Sequence, residues 1–469
     1  MKYVSTRGTA PALGFEDVLL TGLARDGGLY LPEYWPLFTQ AELAAMAGQP
    51  YETVALSVMR PFVGGEISDD DLAHMIGEAY RGFGHRSIAP LVQIGPSDWL
   101  LELFHGPTLA FKDIAMQVLA RLMDRALVRR GSSATVVGAT SGDTGGAAIE
   151  AFRGRRSIDM FILFPEGRVS DVQRRQMTTP VEANVHAIAI DGTFDDCQNL
   201  VKALFNDLQL RDRLQLAGVN SINWARILAQ IVYYFTSGVA LGAPDRPVSF
   251  TVPSGNFGDI FAGFAAMNMG LPVERLVIAT NSNDILARTL ETGRYAPSGV
   301  TATLSPSMDI EISSNFERLL YELGERDAAR VVDKMESLKS QRSFALEPAE
   351  HAYFRQIFQA ARSSEDETLA AIRQLKARTG YLVDPHTAVG IAAAGKVERD
   401  PKVPMVTLAT AHPAKFPLAV AKAVGAPPPE PPIVARQREM PERMSRLPND
   451  FAAVAAFISQ RARAAGRHP

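Results

Sequence analysis

A lysine stands inside an unusually apolar stretch, Leu101-Glu-Leu-Phe-His-Gly-Pro-Thr-Leu-Ala-Phe-Lys112-Asp113, with Ile114 and Ala115 following. Lysines are rarely enclosed this way unless they are paired or used. Desolvation disfavours the ammonium form, so a neutral, nucleophilic amine becomes available near neutral pH. Such an amine can form a Schiff base with a carbonyl, most commonly the aldehyde of pyridoxal phosphate. The segment alone leaves a second reading open, a lysine at a helix start whose head reaches solvent. No other lysine sits in a matching context.

Two glycine-containing turns lie further along. Thr140-Ser141-Gly142-Asp143-Thr144-Gly145 follows the apolar run Ala134–Ala139 and precedes a helical pattern. Small residues let backbone N–H groups approach an anion, the helix dipole favours negative charge, and the hydroxyls suit a carboxylate. Ser254-Gly255-Asn256-Phe257-Gly258-Asp259 repeats the arrangement after Val248–Val252. It lacks the Lys-Ser/Thr pair of a nucleotide P-loop and the Gly-x-Gly-x-x-Gly dinucleotide spacing, so it suits a cofactor held by its phosphate. Either turn alone is also compatible with a bare strand-to-helix connection. His105, His386 and His412 have no partners at metal-ligand spacing, so no metal is expected.

The elements that must position these residues are predicted from periodicity. Residues 1–95 read as an α-rich region with a short helix at Phe15–Leu23, a short strand at Leu29–Leu31 stopped by Pro32, and a helix from Leu72 capped by Ser68. Helical spacing follows Lys112 from Ile114 to Arg129. Strands at 134–139, 160–164, 185–190, 248–252 and 275–280 alternate with helices, as parallel βαβ units do. A long helix is predicted over Trp224–Ala240, and residues 325–378 read as mostly helical. A last βα group spans Asp384–Val424. Pro427–Pro432 reads as a stiff connector, and Asp450–Ala465 as a docking helix.

Composition describes an ordinary globular chain of 469 residues, 46% hydrophobic and 21% charged. A net charge of -3 without basic tracts gives no footprint for nucleic acid. The single cysteine, Cys197, excludes an internal disulfide and reads as a packing residue. No apolar run approaches a membrane span and no export signal opens the chain, so no membrane partner and a cytoplasmic enzyme are expected.

In order, the Phe-Lys-Asp, Thr-Ser-Gly-x-Thr-Gly and Ser-Gly-Asn-Phe-Gly strings resemble the fold-type II pyridoxal-phosphate enzymes, and within them the threonine synthase family of bacteria and fungi. The resemblance extends through Tyr3–Gly8, Asp26–Leu31, Glu102–Asp113, Ala139–Gly145, Asn220–Gln230, Val252–Asp259, Asp384–Val389 and Thr410–Phe416. It implies open, mostly parallel sheets flanked by helices in a large and a small domain. The expected large domain is 96–130 with 216–426, the small one 131–215, and 427–469 a connector with a docking helix. It implies that Lys112 holds the cofactor aldehyde. Ser254, Gly255, Asn256, Phe257, Gly258 and Asp259 would surround the cofactor phosphate, and Thr387 would offer its hydroxyl to the pyridine nitrogen. A hydroxyl there would leave that nitrogen largely unprotonated. Thr140, Ser141, Asp143 and Thr144 would line the substrate side, with the hydroxyls on its carboxylate. Many fold-type II relatives place Asn where this chain has Asp143, which puts a contact to the cofactor's 3-hydroxyl in doubt. Arg226, and behind it His105, are candidates for a substrate phosphate. The implied reaction converts O-phospho-L-homoserine and water to L-threonine and phosphate, in a monomer or weak homodimer. A fold-type II lyase such as a threonine dehydratase, or a non-catalytic relative, stays open from the residues alone.

Overall fold

The computed structural model describes residues 1–466; 467–469, the end of the expected C-terminal segment, lie outside the described residues. Two sheets carry the chain, with helices packed against them. The larger has the order Phe358–Arg362, Val273–Thr280, Val248–Pro253, Met405–Ala409, Asp98–Glu102, Leu91–Gln93, all parallel except the last pair. Its central strand, Met405-Val-Thr-Leu-Ala409, is buried throughout, as a strand covered on both faces must be. Because Val248–Pro253, Met405–Ala409 and Asp98–Glu102 are parallel neighbours, the loops leaving their C-terminal ends emerge together at one edge.

The smaller sheet runs Ser445–Pro448, Val185–Asp191, Ile158–Pro165, Ala134–Ala139, Leu216–Ala217, wholly parallel. Ile158–Pro165 is buried at every position. Val137, Phe161 and Ile188 of this sheet pack with Val454, Phe457 and Ile458 of the terminal helix Phe451–Arg461, and with the buried Cys197.

The predicted α-rich start has helices at Phe15–Thr21, Gln40–Met46, Tyr51–Val63 and Asp69–Tyr80, the last capped by the Ser68 hydroxyl accepting from the Asp71 N–H at 3.2 Å. Several elements differ from expectation. Pro32 lies inside its strand, which pairs only with Tyr3–Ser5 in a two-stranded ribbon where a missing N–H is tolerated. Leu91–Gln93 belongs to the large sheet, and Leu216–Ala217 to the small one, each across an expected domain boundary. Residues 325–378 are interrupted by the edge strand Phe358–Arg362, whose Phe-Gln-Ala-Ala-Arg sequence carries little β signal; pairing with Leu276–Thr280 decides its state. The helix Pro385–Ala394 precedes the last buried strand instead of following it. The connector ends in a helix, Pro432–Glu439, with proline at its first position, where the absent N–H costs nothing. Ser445–Pro448 then joins the small sheet beside Val185–Asp191.

The helix Trp224–Ala240 is almost entirely buried, and the rings of Tyr3, Trp35 and Phe62 lie 5.8–6.1 Å from Trp224. The helix Pro385–Ala394 lies against the large sheet at Gly390, where an added Cβ would sit 2.7 Å from Thr407 Cγ2 and 3.3 Å from Pro253 Cγ. Alanine is the better helix former by about 1 kcal/mol, but the buried Thr407 side chain has nowhere to retreat, and overpacking costs roughly 1–3 kcal/mol. Gly390→Ala should therefore lower the urea midpoint; a raised midpoint would contradict this packing.

Candidate active site

Three loops from the large sheet and one from the small sheet meet around Lys112. Its own loop is tied to the neighbouring one by Leu103 N–H to Ala409 O (3.0 Å) and Phe111 N–H to Thr410 O (2.8 Å). Asp113 locks the loop internally, accepting the Thr108 N–H at 2.8 Å and the Thr108 hydroxyl at 2.6 Å. Burial pushes the Asp113 carboxyl up to about 6. Lys112 thus becomes the first residue of the helix Lys112–Arg129, and it is 9% exposed.

Sequence reasoning passed over a second lysine. Lys415, in the Thr410–Phe416 loop, is 0% exposed, more enclosed than Lys112. The two differ in how their protons are used. Lys415 Nζ donates to Thr108 O at 2.6 Å, to Gln176 Oε1 at 3.0 Å, and meets Asp143 Oδ1 at 2.9 Å, so its three donors are spent. Lys112 Nζ has Asp143 Oδ2 at 3.7 Å and the Phe111 ring centre at 4.6 Å. Burial holds the Lys112 amine below the ordinary lysine range; the Asp143 charge opposes this, while Lys415 and Arg226 add to it. Pro413-Ala414-Lys415-Phe416 has apolar neighbours like those of Lys112, and that signal could have flagged it.

Asp143 is the acid between them. Burial works against its charge, but Lys415 and Lys112 overcome that and hold it well below the usual carboxylate range. Its Oδ1 also accepts from Gln173 Nε2 at 2.9 Å. This carboxylate, expected on the substrate side, is engaged by the protein cations Lys112 and Lys415. On the same turn, the Thr140 hydroxyl accepts the Gly142 and Gly145 N–H groups, both at 2.9 Å, so it locks the turn. The half-buried Ser141 and Thr144 hydroxyls find no partner among the described residues. Gly142 has φ +142°, and a Cβ there would strike the Gln173 side chain.

The second turn leaves Val248–Pro253 and opens the helix Gly258–Asn268. Phe257 takes φ +63°, uncommon for a bulky residue, with its ring buried against Phe316 and Phe358. Among the described residues, no protein acceptor meets the N–H groups of Gly255, Asn256, Phe257 or Gly258. The carbonyls are fixed from behind: the Ser313 hydroxyl donates to Gly255 O, and Asn315 N–H to Asn256 O at 3.1 Å. A Cβ on Gly255 would lie 2.9 Å from Ile310 Cδ1. The segment 305–315 therefore walls the cup, which no local pattern announces because the contact spans 58 residues. Two residues expected at the cofactor also have protein partners. The Ser254 hydroxyl donates to Val252 O at 2.9 Å. The Asp259 carboxylate accepts from the Tyr233 and Tyr234 hydroxyls, and burial raises it to about 6.

Arg226 lies in the first turn of Trp224–Ala240, and burial pushes its guanidinium down to about 10. Nη1 donates to Val219 O at 3.2 Å, Nε is buried without a partner, and no carboxylate pairs with it among the described residues. An unpaired buried cation is costly unless an anion meets it. His105 is engaged through Nε2 by Glu102 Oε2 at 2.7 Å, and Glu102 also accepts from the Tyr381 hydroxyl. That nitrogen is not free for a phosphate. Thr387 is fully buried; its hydroxyl donates to Asp384, and Asp384, not Thr387, caps the helix Pro385–Ala394. No group of three or more His, Cys, Asp or Glu among the described residues is arranged to hold a metal.

A nucleophilic amine, four outward N–H groups at a helix start and an unpaired guanidinium fit a phosphate-bearing aldehyde. Family models agree with that chemistry: "Threonine synthase N terminus" matches residues 2–80, "Pyridoxal-phosphate dependent enzyme" residues 89–352, and "Threonine synthase, C-terminal" residues 387–458. The chain is 52% identical to the threonine synthase of Pseudomonas aeruginosa over 461 residues, 98% of each chain. It is similar to the crystal structure of pyridoxal-phosphate-bound threonine synthase from Brucella melitensis, with TM-score 0.97 and 57% identity over 99% of this chain and 100% of that one. The yeast threonine synthase structure matches with TM-score 0.93 and 39% identity, covering 98% of each chain.

The charges around Lys112 predict opposite effects of two substitutions. Lys415→Met removes a like charge and should raise the Lys112 pKa; Asp143→Asn removes the opposing one and should lower it. The pH dependence of Lys112 labelling by a small amine reagent in cofactor-free protein, read by mass spectrometry, reports both. Shifts in the same direction would contradict the arrangement.

Proposed function

The chain belongs to the threonine synthase family of pyridoxal-phosphate-dependent lyases, and on that premise we propose that it converts O-phospho-L-homoserine and water to L-threonine and phosphate. The observation that carries the substrate reading is the buried Arg226 guanidinium, which lacks an acid partner although it lies near enough to Lys112 to lower its pKa. A lyase of non-phosphorylated amino acids binds the cofactor phosphate and the substrate carboxylate, and has no use for a third anion site.

When bound, pyridoxal phosphate supplies an aldehyde and a conjugated ring that takes up electron density from the reacting carbon. The chain's residues do the rest. Lys112 would hold the cofactor through its aldehyde, and its lowered pKa suits it to take and return protons at the substrate carbons. The Gly255–Gly258 N–H groups, which have no protein acceptor among the described residues, would hold the cofactor phosphate through backbone donors. Ser141, Thr144 and the N–H groups of their turn hold the substrate carboxylate, and Thr140 keeps that turn in shape. Arg226 binds the γ-phosphate and stabilises its charge as it leaves, after which water adds at Cβ. The resemblance would place Thr387 on the ring-nitrogen side of the cofactor. Asp143 balances Lys112 and Lys415. We also propose the division into 96–130 with 216–426 for the cofactor and 131–215 for the small domain, shifted at the edges by the strands described above. We also propose a cytoplasmic monomer or weak homodimer; among the described residues no helix is long and apolar enough to cross a membrane.

Purified protein should release phosphate and form threonine from O-phospho-L-homoserine; threonine consumption or inertness would overturn the proposal. Borohydride reduction of the holoenzyme followed by peptide mapping should tag Lys112 and not Lys415. Arg226→Ala should weaken O-phospho-L-homoserine about tenfold or more, the worth of a charge-assisted bond to phosphate, and leave a non-phosphorylated analogue nearly unaffected. Equal losses would mark Arg226 as structural.

A further inference from the structure

A cavity of about 570 Å³ opens between the helices Glu365–Thr379 and Pro385–Ala394, above Asp98 and Thr407 of the large sheet. None of the candidate active-site residues lines it. Asp98 is the first residue of its strand, whereas the Lys112 loop leaves that strand's last residue, Glu102. The cavity therefore lies toward the opposite edge of the sheet. Its size falls within the range of small-molecule sites, roughly 300–1,000 Å³. Its walls divide by polarity. Leu375, Ile391, Ala392 and Ala394 supply apolar surface. Thr407, from the buried central strand, is 3% exposed and forms the floor. Its methyl group is turned toward Gly390, 2.7 Å from where a Cβ would sit, and its hydroxyl has no partner among the described residues. A polar side chain buried to this degree is ordinarily paired.

The charged groups are unevenly answered. Arg399 Nη2 pairs with Asp98 Oδ1 at 2.7 Å, but Nη1 of the same guanidinium meets no acceptor. Arg378, exposed in the last turn of its helix, has no acidic partner among the described residues. Both acids, by contrast, are taken. Asp98 is held by Arg399, and Glu367 Oε1 lies 2.7 Å from Lys396 Nζ. Arg378, Lys396 and Arg399 thus set three positive charges against the two negative charges of Asp98 and Glu367, leaving one unanswered. We propose that this cavity is a binding site for a small aliphatic monocarboxylate. Arg399 and Thr407 hold its carboxylate, and Leu375 and Ile391 cover its hydrocarbon part. A carboxylate accepts from a guanidinium and a hydroxyl at once. One unanswered positive charge suits a single negative one, and a phosphate dianion would leave an excess. An α-amino acid fits less well, because its ammonium finds both acids already paired. The ligand is therefore chemically distinct from the amino acids of the proposed reaction.

The test is calorimetric titration of the holoenzyme with butanoate, 3-methylbutanoate and hexanoate, each beside its neutral amide. At least one acid should bind saturably, at one site per chain. Its amide should bind about tenfold or more weakly, the worth of one charge-assisted hydrogen bond. Arg399→Met should weaken the acid by about the same factor and leave the amide nearly unchanged. Ala392→Trp fills the cavity from a half-buried position and should abolish binding of both. It also covers the case in which Arg399→Met, which strips Asp98 of its partner, does not fold. Absence of saturable binding for all three acids would overturn the proposal. Equal affinity for acid and amide overturns it as well. Undiminished acid binding in either variant does the same, since the ligand would then sit elsewhere or be held by other groups.

Discussion

Burying an amine that must lose its proton easily is the constraint on which the rest of this structure depends. Desolvation alone would discharge Lys112, and a close carboxylate would restore the charge. Asp143 stands at 3.7 Å from Lys112 but at 2.9 Å from Lys415, so most of its charge is answered by the lysine with no free proton. The catalytic candidate receives only the remainder. Two other buried acids near the site, Asp113 and Asp259, are raised to about 6 and are tied down by Thr108 and by Tyr233 and Tyr234.

That balance needs loops held to within fractions of an ångström, and parallel strands provide this cheaply. The turns after Asp98–Glu102, Val248–Pro253 and Met405–Ala409 start from neighbouring, hydrogen-bonded positions, so each inherits the rigidity of the sheet. The small sheet contributes Asp143, Gln173 and Gln176, and Lys415 ties it to the large one through Thr108 O and Asp143. Arg318, fully buried, braces the cup from the other side. It donates to Asn315 Oδ1 and to the carbonyls of Ile222 and Tyr30, joining the wall of the cup to the loop before Trp224 and to the N-terminal ribbon. Backbone donors fixed this way stabilise charge without having to reorganise, which is where most electrostatic catalysis originates.

Local chemistry in the sequence determined a good deal. The apolar surround of Lys112, the two glycine turns, the alternation of strands with helices and the bounds of Ala134–Ala139 and Trp224–Ala240 are all short-range properties, and each is found in the structure. The family strings added the cofactor. Elements whose state depends on distant pairing were not legible: Phe358–Arg362 and Ser445–Pro448 become strands because a sheet edge waits for them, not through their own composition.

Partner choice within the site was decided by tertiary structure alone. Residue type marked Thr140, Ser254, Asp143, Asp259 and His105 as available, yet each is engaged by a protein group, because polar side chains are satisfied by whatever the fold places within reach. The sequence shows two lysines in apolar settings, and only the count of acceptors around each separates the spent Lys415 from the under-satisfied Lys112. Thr387 makes the same point. Its hydroxyl can donate or accept as far as the sequence goes, and the buried Asp384 three residues earlier removes the choice by taking the one proton it has.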